Sequence, residues 1–192
     1  MPSPSPFVAL ETLARARRGD RDAHAELYAL FAGPVFTLAR RMLASKALAE
    51  DVLQETFVEV LCKIAGFRGD AELGTWVKRI AINKCLMHLR SSWVSRRGYS
   101  DEEPAGAQRS GMLDQQIALE RALDQVPDVA RAVVWLHDVE GYTHAEIGHL
   151  MGRTTSFSKS QLARAHQRLR ALLEGVEANS ETSLCTTVLK TC

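Results

Sequence analysis

Residues 141–173 read GYTHAEIGHLMGRTTSFSKSQLARAHQRLRALL, and this stretch decides the fold of the second half of the chain. Thr143 followed three residues later by Glu146 is a capping-box arrangement, which predicts that a helix begins here. The helix is short and ends at Gly152, while Gly148, four residues earlier, is small enough for a close helix crossing. A turn of a few residues then leads into a longer helix. This spacing is typical of a helix-turn-helix unit.

The longer helix, from about Ser156 to Leu173, carries the charge of this unit. Residues 153–173 contain no acidic residue, and their basic residues include Arg153, Lys159, Arg164, Arg168 and Arg170. Phosphate contacts supply affinity for DNA, and polar side chains near the start of such a helix read base edges. We therefore predict a recognition helix, although a plain helical hairpin would show the same spacing. The candidates for base contacts are Ser156, Ser158, Lys159 and Gln161.

Two further amphipathic helices precede the unit. They cover about residues 115–126 and 128–140 and are separated at Pro127. We predict that residues 112–173 form one helical domain. Residues 91–111, SSWVSRRGYSDEEPAGAQRSG, are rich in serine, glycine and charge, which is typical of a flexible linker.

The first half, residues 7–90, is predicted to form a second helical domain, whose central helix is acidic on one face. Apolar residues recur there at steps of three and four, which predicts a buried stripe. Asp51, Glu55 and Glu59 are spaced by four residues on the opposite face, alongside Glu50 and Gln54. This face is either solvated or a docking surface for a basic partner. The predicted stripe is Leu48, Val52, Leu53, Phe57, Val60, Leu61 and Ile64.

A loop rich in glycine follows, GFRGDAELG at 66–74, and then a basic helix that begins near Thr75. Residues 76–97 contain six basic residues and no acidic one. A basic helix face beside an aromatic-bearing loop favours binding of single-stranded nucleic acid, although a solvated basic face would look the same. The residues predicted to face the core are Val77, Ile80, Ala81, Cys85 and Leu89. Those predicted to face outward together are Arg79, Asn83 and Arg90.

The remaining sequence favours a cytoplasmic protein without catalysis. The first residues lack the charged and apolar regions of a signal peptide, and no apolar run approaches the roughly 18 residues of a membrane span. There is no glycine-rich phosphate loop, HExxH motif or nucleophile elbow, so we expect no catalytic residue, metal or cofactor. None of the four cysteines forms a CxxC pair, which argues against a disulfide framework or a zinc site.

The tail, residues 174–192, has no clear period, and its serine and threonine content argues against a stable helix. Two interpretations remain open. The tail is either a disordered end with exposed thiols or a regulatory appendage that folds back on the second domain. Cys185 and Cys192 would allow the second arrangement to depend on oxidation.

Three segments occur in order: AEDVLQETFVEV at 49–60, FRGDAELGTWVKRIAINKCLMHLR at 67–90, and residues 141–173. Together they resemble the extracytoplasmic-function (ECF) sigma factors of the major bacterial sigma family. The resemblance implies an all-α protein of two small helical domains. Such a protein binds core RNA polymerase through the β′ clamp and the β subunit, recognises and melts promoter DNA, and catalyses nothing. It also allows for an anti-sigma factor as a partner, and implies a linker threaded through the polymerase's active-site channel and RNA exit path.

The resemblance also implies roles for particular residues. Glu50, Asp51, Gln54 and Glu55 would grip the coiled coil of the β′ clamp. The loop at 67–74 would capture a base flipped out of the −10 element, and the helix from Ser156 would read the −35 element with Arg164 and Arg168 on phosphates. The residues implied at the −10 element are Phe67, Arg68, Trp76, Lys78, Arg79, Asn83 and Lys84.

The recognition helix departs from the family pattern at two positions. Members usually carry Gly, Thr, Val, Lys, Ser, Arg where this chain has SFSKSQ at 156–161. Ser158 stands at an apolar position, so we expect Phe157 to pack between the two helices instead. Gln161 stands in place of arginine and favours adenine. The rival function is that of an ordinary helix-turn-helix regulator that is not a polymerase subunit, and the first domain distinguishes the two.

Overall fold

The computed structural model describes residues 8–95 and 115–188, with side chains described for 8–91 and 119–174. Every regular element in these ranges is helical, which confirms the all-α prediction. No helix in these ranges has the length and apolar character needed to cross a membrane. The first elements are α1 (Leu10–Arg17), α2 (Arg21–Leu43), α3 (Lys46–Lys63), a 3-10 turn (Ile64–Gly66) and α4 (Leu73–Ser95). The later ones are α5 (Gln115–Asp124), α6 (Asp128–Val134), a π-helical turn (Trp135–Val139), α7 (His144–Met151) and α8 (Thr155–Val188).

The described residues fall into two compact units. One holds α1 to α4 together with the short segment Asp138–Gly141, and the other holds α5 to α8. Residues 96–114, most of the predicted linker, lie outside the described residues. Helix α4 runs to Ser95, five residues past the predicted end of the first domain.

In the first unit, α2, α3 and α4 pack against one another around an apolar core. Asp20 caps α2, where its side chain accepts a hydrogen bond from the backbone N–H of Ala23. The core residues predicted on α4 are all buried, and Ile82 and Leu86 are buried too, because α4 contacts both α2 and α3 and needs a wider apolar face.

The predicted stripe on α3 was partly wrong. Leu48 and Leu61 are 37% and 39% exposed, whereas the other five predicted residues are buried or half-buried. Ala49 and Thr56 are fully buried in their place. Small and medium side chains at these positions let α3 lie close to its neighbours, so its buried face is rotated away from the two leucines.

In the second unit, the helix-turn-helix forms as predicted. Thr143 and Glu146 make the full capping box at the start of α7. Gly152 ends the helix with a φ of +64°, a conformation that favours glycine. A Cβ on Gly148 would lie 2.9 Å from the backbone oxygen of Arg153, so this position also requires glycine.

The prediction that the tail is not a stable helix was wrong, since α8 continues to Val188. The sequence after Pro127 contains no proline that would break α8. Each residue added to the helix gains a backbone hydrogen bond, which favours its continuation. Gly175 disfavours the helix by only about 1 kcal/mol relative to alanine. The proposed pairing of Cys185 with Cys192 falls outside the described residues, because Cys192 lies beyond 188 and the side chain of Cys185 is not among those described.

Candidate nucleic-acid and docking surfaces

The loop between the 3-10 turn and α4 forms a cavity of about 600 Å³. Gly69, with a φ of +86°, turns the chain at its rim. The ring of Phe67 is 9% exposed and lies 5.1 Å from the ring of Trp76 in a tilted arrangement. The cavity therefore has an aromatic wall and a basic rim, and its lining residues are Cys62, Lys63, Gly66, Phe67, Arg68, Gly69, Asp70, Ala71, Trp76 and Arg79.

Apart from the two aromatic residues of the cavity wall, the residues predicted at the −10 element fall into two groups. Arg68, Arg79 and Asn83 are exposed, and Arg79 and Asn83 share one face of α4 because they lie four residues apart. Lys78 and Lys84 already hold acidic partners within the unit. Lys78 Nζ lies 2.7 Å from Oε2 of Glu140, whereas Lys84 is bound to two carboxylates of α3.

The acidic face of α3 and the basic helix α4 are joined by an ion-pair network. Lys84 Nζ lies 3.0 Å from Oε2 of Glu59 and 3.8 Å from Oε2 of Glu55. Lys63 lies 2.6 Å from Glu59, and these two lysines hold the pKa of that carboxyl below its ordinary value. Hydrogen bonding to Glu59 raises the pKa of Lys84. His88 Nε2 lies 3.4 Å from Oε1 of Glu55.

The four predicted docking residues, Glu50, Asp51, Gln54 and Glu55, are exposed on α3. They differ in how strongly they are tied to neighbours. Glu50 makes a 3.7 Å contact with Lys46 on the same helix, an exposed pair of small energetic value. Glu55 belongs to the network with α4, so any partner that binds it competes with Lys84 and His88.

On the recognition helix, the structure corrects the prediction for Ser158. Its side chain is fully buried, and its Oγ lies 3.0 Å from Nδ1 of His144 on α7. Ser158 therefore packs between the two helices and offers no atom to DNA. The prediction that Phe157 takes this packing role was also wrong. Phe157 is only half-buried, and its ring lies under the guanidinium of Arg153 at 5.8 Å.

The other predicted residues of α8 remain accessible. Ser156, Lys159 and Arg164 are exposed and Gln161 is half-buried. Arg168 is half-buried, and its Nε donates a hydrogen bond of 3.0 Å to the backbone oxygen of Gln125. It therefore braces α8 against the end of α5 in addition to any contact with phosphate.

Sequence reasoning missed two residues. Arg17 donates a hydrogen bond to the backbone oxygen of Phe67, at the cavity wall. His144 stacks on His137 with ring centroids 4.5 Å apart, besides meeting Ser158. The contact of Arg17 with Phe67 and that of His144 with Ser158 each join different helices or loops. An arginine in an amphipathic helix and a histidine after an N-cap carry no local signal of such contacts.

Comparison with known proteins gives two family matches, in separate stretches of the chain. Residues 27–94 match the model of Sigma-70 region 2, and residues 116–169 match that of Sigma-70 region 4. The chain is similar to the ECF RNA polymerase sigma factor SigM of Mycobacterium tuberculosis, with 32% identity over 163 residues, 85% of this chain and 83% of that protein. It is also similar to the RNA polymerase sigma factor CarQ of Myxococcus xanthus, with 35% identity over 86% of this chain and 97% of that one.

A solved structure shares the fold. The sigma factor RpoE of Bartonella quintana, in complex with the anti-sigma factor NepR, matches with a TM-score of 0.53 and 21% identity. The match covers 78% of this chain and 96% of that one.

Proposed function

The chain belongs to the extracytoplasmic-function group of the sigma-70 family, and we propose that it binds core RNA polymerase and directs promoter recognition, melting and initiation. One observation carries the proposal. A helix-turn-helix unit occurs in the same chain as a unit with an exposed acidic helix face and an open cavity beside a basic helix. A regulator that binds duplex DNA unaided has no use for the second of these.

Helix α3 is the proposed docking element for the β′ clamp. Its exposed carboxylates form a surface of one sign, which favours a basic partner and steers the encounter. Docking at Glu55 would draw this carboxylate away from Lys84 and His88, which lie at 3.8 and 3.4 Å. Binding of polymerase and the position of α4 are thereby linked in this proposal.

The cavity is the proposed site for a base of the −10 element. Its volume of about 600 Å³ falls within the range of about 300–1,000 Å³ for ligand sites. Extracting a base costs a few kcal/mol of stacking and pairing energy, which contacts to the extracted base offset. Because only an unstacked base can enter, binding energy favours the open state of the promoter. Asn83 and Arg79 are exposed on the adjoining helix to contact the same strand.

Helix α8 is the proposed reader of the −35 element. Ser156, Lys159 and Gln161 lie in its first two turns, where a recognition helix meets base edges. Arg164 lies further along the same helix, and we assign it a contact with a phosphate of the DNA backbone. Ser158 is left out of this set because it is buried.

In this proposal the protein has no catalytic residue and no cofactor. Binding energy opens the DNA, and RNA synthesis belongs to the polymerase. The proposed partners are core polymerase, through its β′ clamp and β subunit, and promoter DNA, and a location in the cytoplasm is part of the same proposal. An anti-sigma factor is a further proposed partner, because the B. quintana protein of the same fold forms a complex with one.

Reconstituted transcription tests the proposal. The purified chain should direct initiation at specific promoters only when core polymerase is present. Strong sequence-specific binding of duplex DNA by the free chain, without association with core polymerase, would instead show an ordinary helix-turn-helix regulator.

The melting step has its own test. Asn83→Ala should lower formation of open complexes on duplex promoters by about fivefold, the equivalent of one hydrogen bond. Retention of the same holoenzyme on a −35 duplex serves as the internal control and should be unchanged. An equal loss on the −35 duplex would show that Asn83 has no special part in opening.

A further inference from the structure

We infer that Arg17 of α1 is a positioning residue that holds the wall of the cavity in place for base capture. The inference rests on the proposed function in assigning the cavity to a base. Arg17 lies 50 residues before Phe67 in sequence, yet its Nη2 donates a hydrogen bond to the backbone oxygen of Phe67. Its guanidinium carbon also lies 5.8 Å from the centroid of the Phe67 ring.

Arg17 lies on a helix whose side chains contact the start of α2. Arg15 makes two hydrogen bonds of 3.0 Å to the carboxylate of Asp20 and one of 3.1 Å to Glu26 on α2. Thr12 donates to the same glutamate at 2.9 Å. These contacts fix α1 on α2, so the guanidinium of Arg17 approaches the loop from a defined position.

The contacts converge on one residue of the loop. The backbone N–H of Phe67 donates to Ile64 at 3.1 Å, and its carbonyl accepts from Arg17, so both polar groups of this residue have partners. Its ring is close to both the Arg17 guanidinium and the ring of Trp76, whose centroid is 5.1 Å away. The resulting order, Arg17 to Phe67 to Trp76, connects α1 to two aromatic residues of the cavity wall.

Arginine is suited to this role and lysine is not. A planar guanidinium can donate to a carbonyl and lie over a ring at the same time, whereas an ammonium acts as a point charge. Loss of Arg17 leaves the Phe67 carbonyl to water and frees the ring to move. The cavity wall would then have to become ordered each time a base binds, which would weaken the binding of the base.

The first experiment measures the loop without DNA. Hydrogen exchange of the Phe67 backbone amide, which is hydrogen-bonded to Ile64, is followed in the full chain for wild type, Arg17→Ala, Arg17→Lys and the control Arg18→Ala, which removes the same charge from the adjacent exposed position. Exchange should rise by about tenfold in Arg17→Ala and Arg17→Lys and stay unchanged in Arg18→Ala. Equal exchange in wild type and Arg17→Ala overturns the inference, as does full wild-type behaviour of Arg17→Lys.

The second experiment measures binding of a −10 single strand by holoenzymes carrying the same variants. Arg17→Ala should weaken binding by about tenfold with the same salt dependence as wild type. Loss of a direct phosphate contact would instead reduce the slope of log K against log salt by about 0.7, and that result overturns a positioning role. Failure of the wild-type holoenzyme to bind the strand would count against the proposed function alone, because the exchange measurement stands without DNA.

Discussion

Nδ1 of His144 lies 3.0 Å from the buried Oγ of Ser158, so a polar contact joins the two helices of the helix-turn-helix. His144 is half-buried and stacks on His137. The angle between α7 and the recognition helix therefore depends on a hydrogen bond as well as on apolar packing, and a hydrogen bond is directional.

Ser158→Ala should destabilise the second unit by about 1 kcal/mol, because it removes one partner of this hydrogen bond. It should also weaken holoenzyme binding to a −35 duplex. Ser160→Ala is the matched control, since Ser160 is exposed and its hydroxyl donates a hydrogen bond to the carbonyl of Phe157 in its own helix. His144→Asn keeps a polar atom near the position of Nδ1 and should retain more affinity than His144→Gln. Thermal unfolding and binding to the −35 duplex check both outcomes. Equal affinity of His144→Asn and His144→Gln for the −35 duplex would contradict a directional contact.

A second prediction concerns the fully buried Thr56, whose Oγ1 has no hydrogen-bond partner in the described part of the chain. A buried hydroxyl without a partner destabilises the fold, and valine has nearly the same shape. Thr56→Val should therefore stabilise the protein by about 1 kcal/mol and raise the unfolding temperature by about 4 °C. Thr37→Val, the same change on an exposed face of α2, should have little effect. A lower unfolding temperature for Thr56→Val would show that the hydroxyl is satisfied.

Before the tail, the sequence predicted helix positions and surface charge well, because both follow from the local spacing of residues. The capping box at Thr143, the turn at Gly152 and the outward face of Arg79 and Asn83 each follow from steps of three or four residues. Burial of the exact face of α3 did not follow, because Leu48 would fit the same apolar period as Ala49. The contacts of two other helices decide which of them is buried.

The site was predictable only where its residues are neighbours in sequence. The loop and α4 adjoin one another, so the cavity could be expected from its glycines and aromatic residues. The arginine that holds Phe67 comes from α1, and the partner of Ser158 comes from α7. Such pairings depend on tertiary packing, and no local sequence pattern around either residue predicts its contact.

A third prediction concerns acid stability. The hydrogen bonds from Arg15, followed by that from the backbone N–H of Ala23, lower the pKa of Asp20 from 3.8 to about 2. Because the folded pKa is below the unfolded one, this stabilisation is present above pH 4 or so and is lost as the pH falls toward 2. Asp20→Asn keeps the helix cap but not the charge, so its unfolding temperature should lie below wild type at pH 7. The difference should shrink as the pH falls through 2, and a constant difference across this range would contradict the assignment.

The last prediction concerns polymerase docking, for which Asp51 is the cleaner target. Glu55 lies within 4 Å of Lys84 and His88, so its reversal would disturb α4 as well as the docking face. Asp51→Arg should weaken binding to core polymerase by about tenfold, or about 1.4 kcal/mol, because it places a positive charge against a basic partner. Helical circular dichroism and unfolding temperature should not change, since Asp51 is exposed. Asp22→Arg, the same reversal at an exposed position of α2, is the control. Equal affinity of both variants and wild type for core polymerase would remove α3 from the interface.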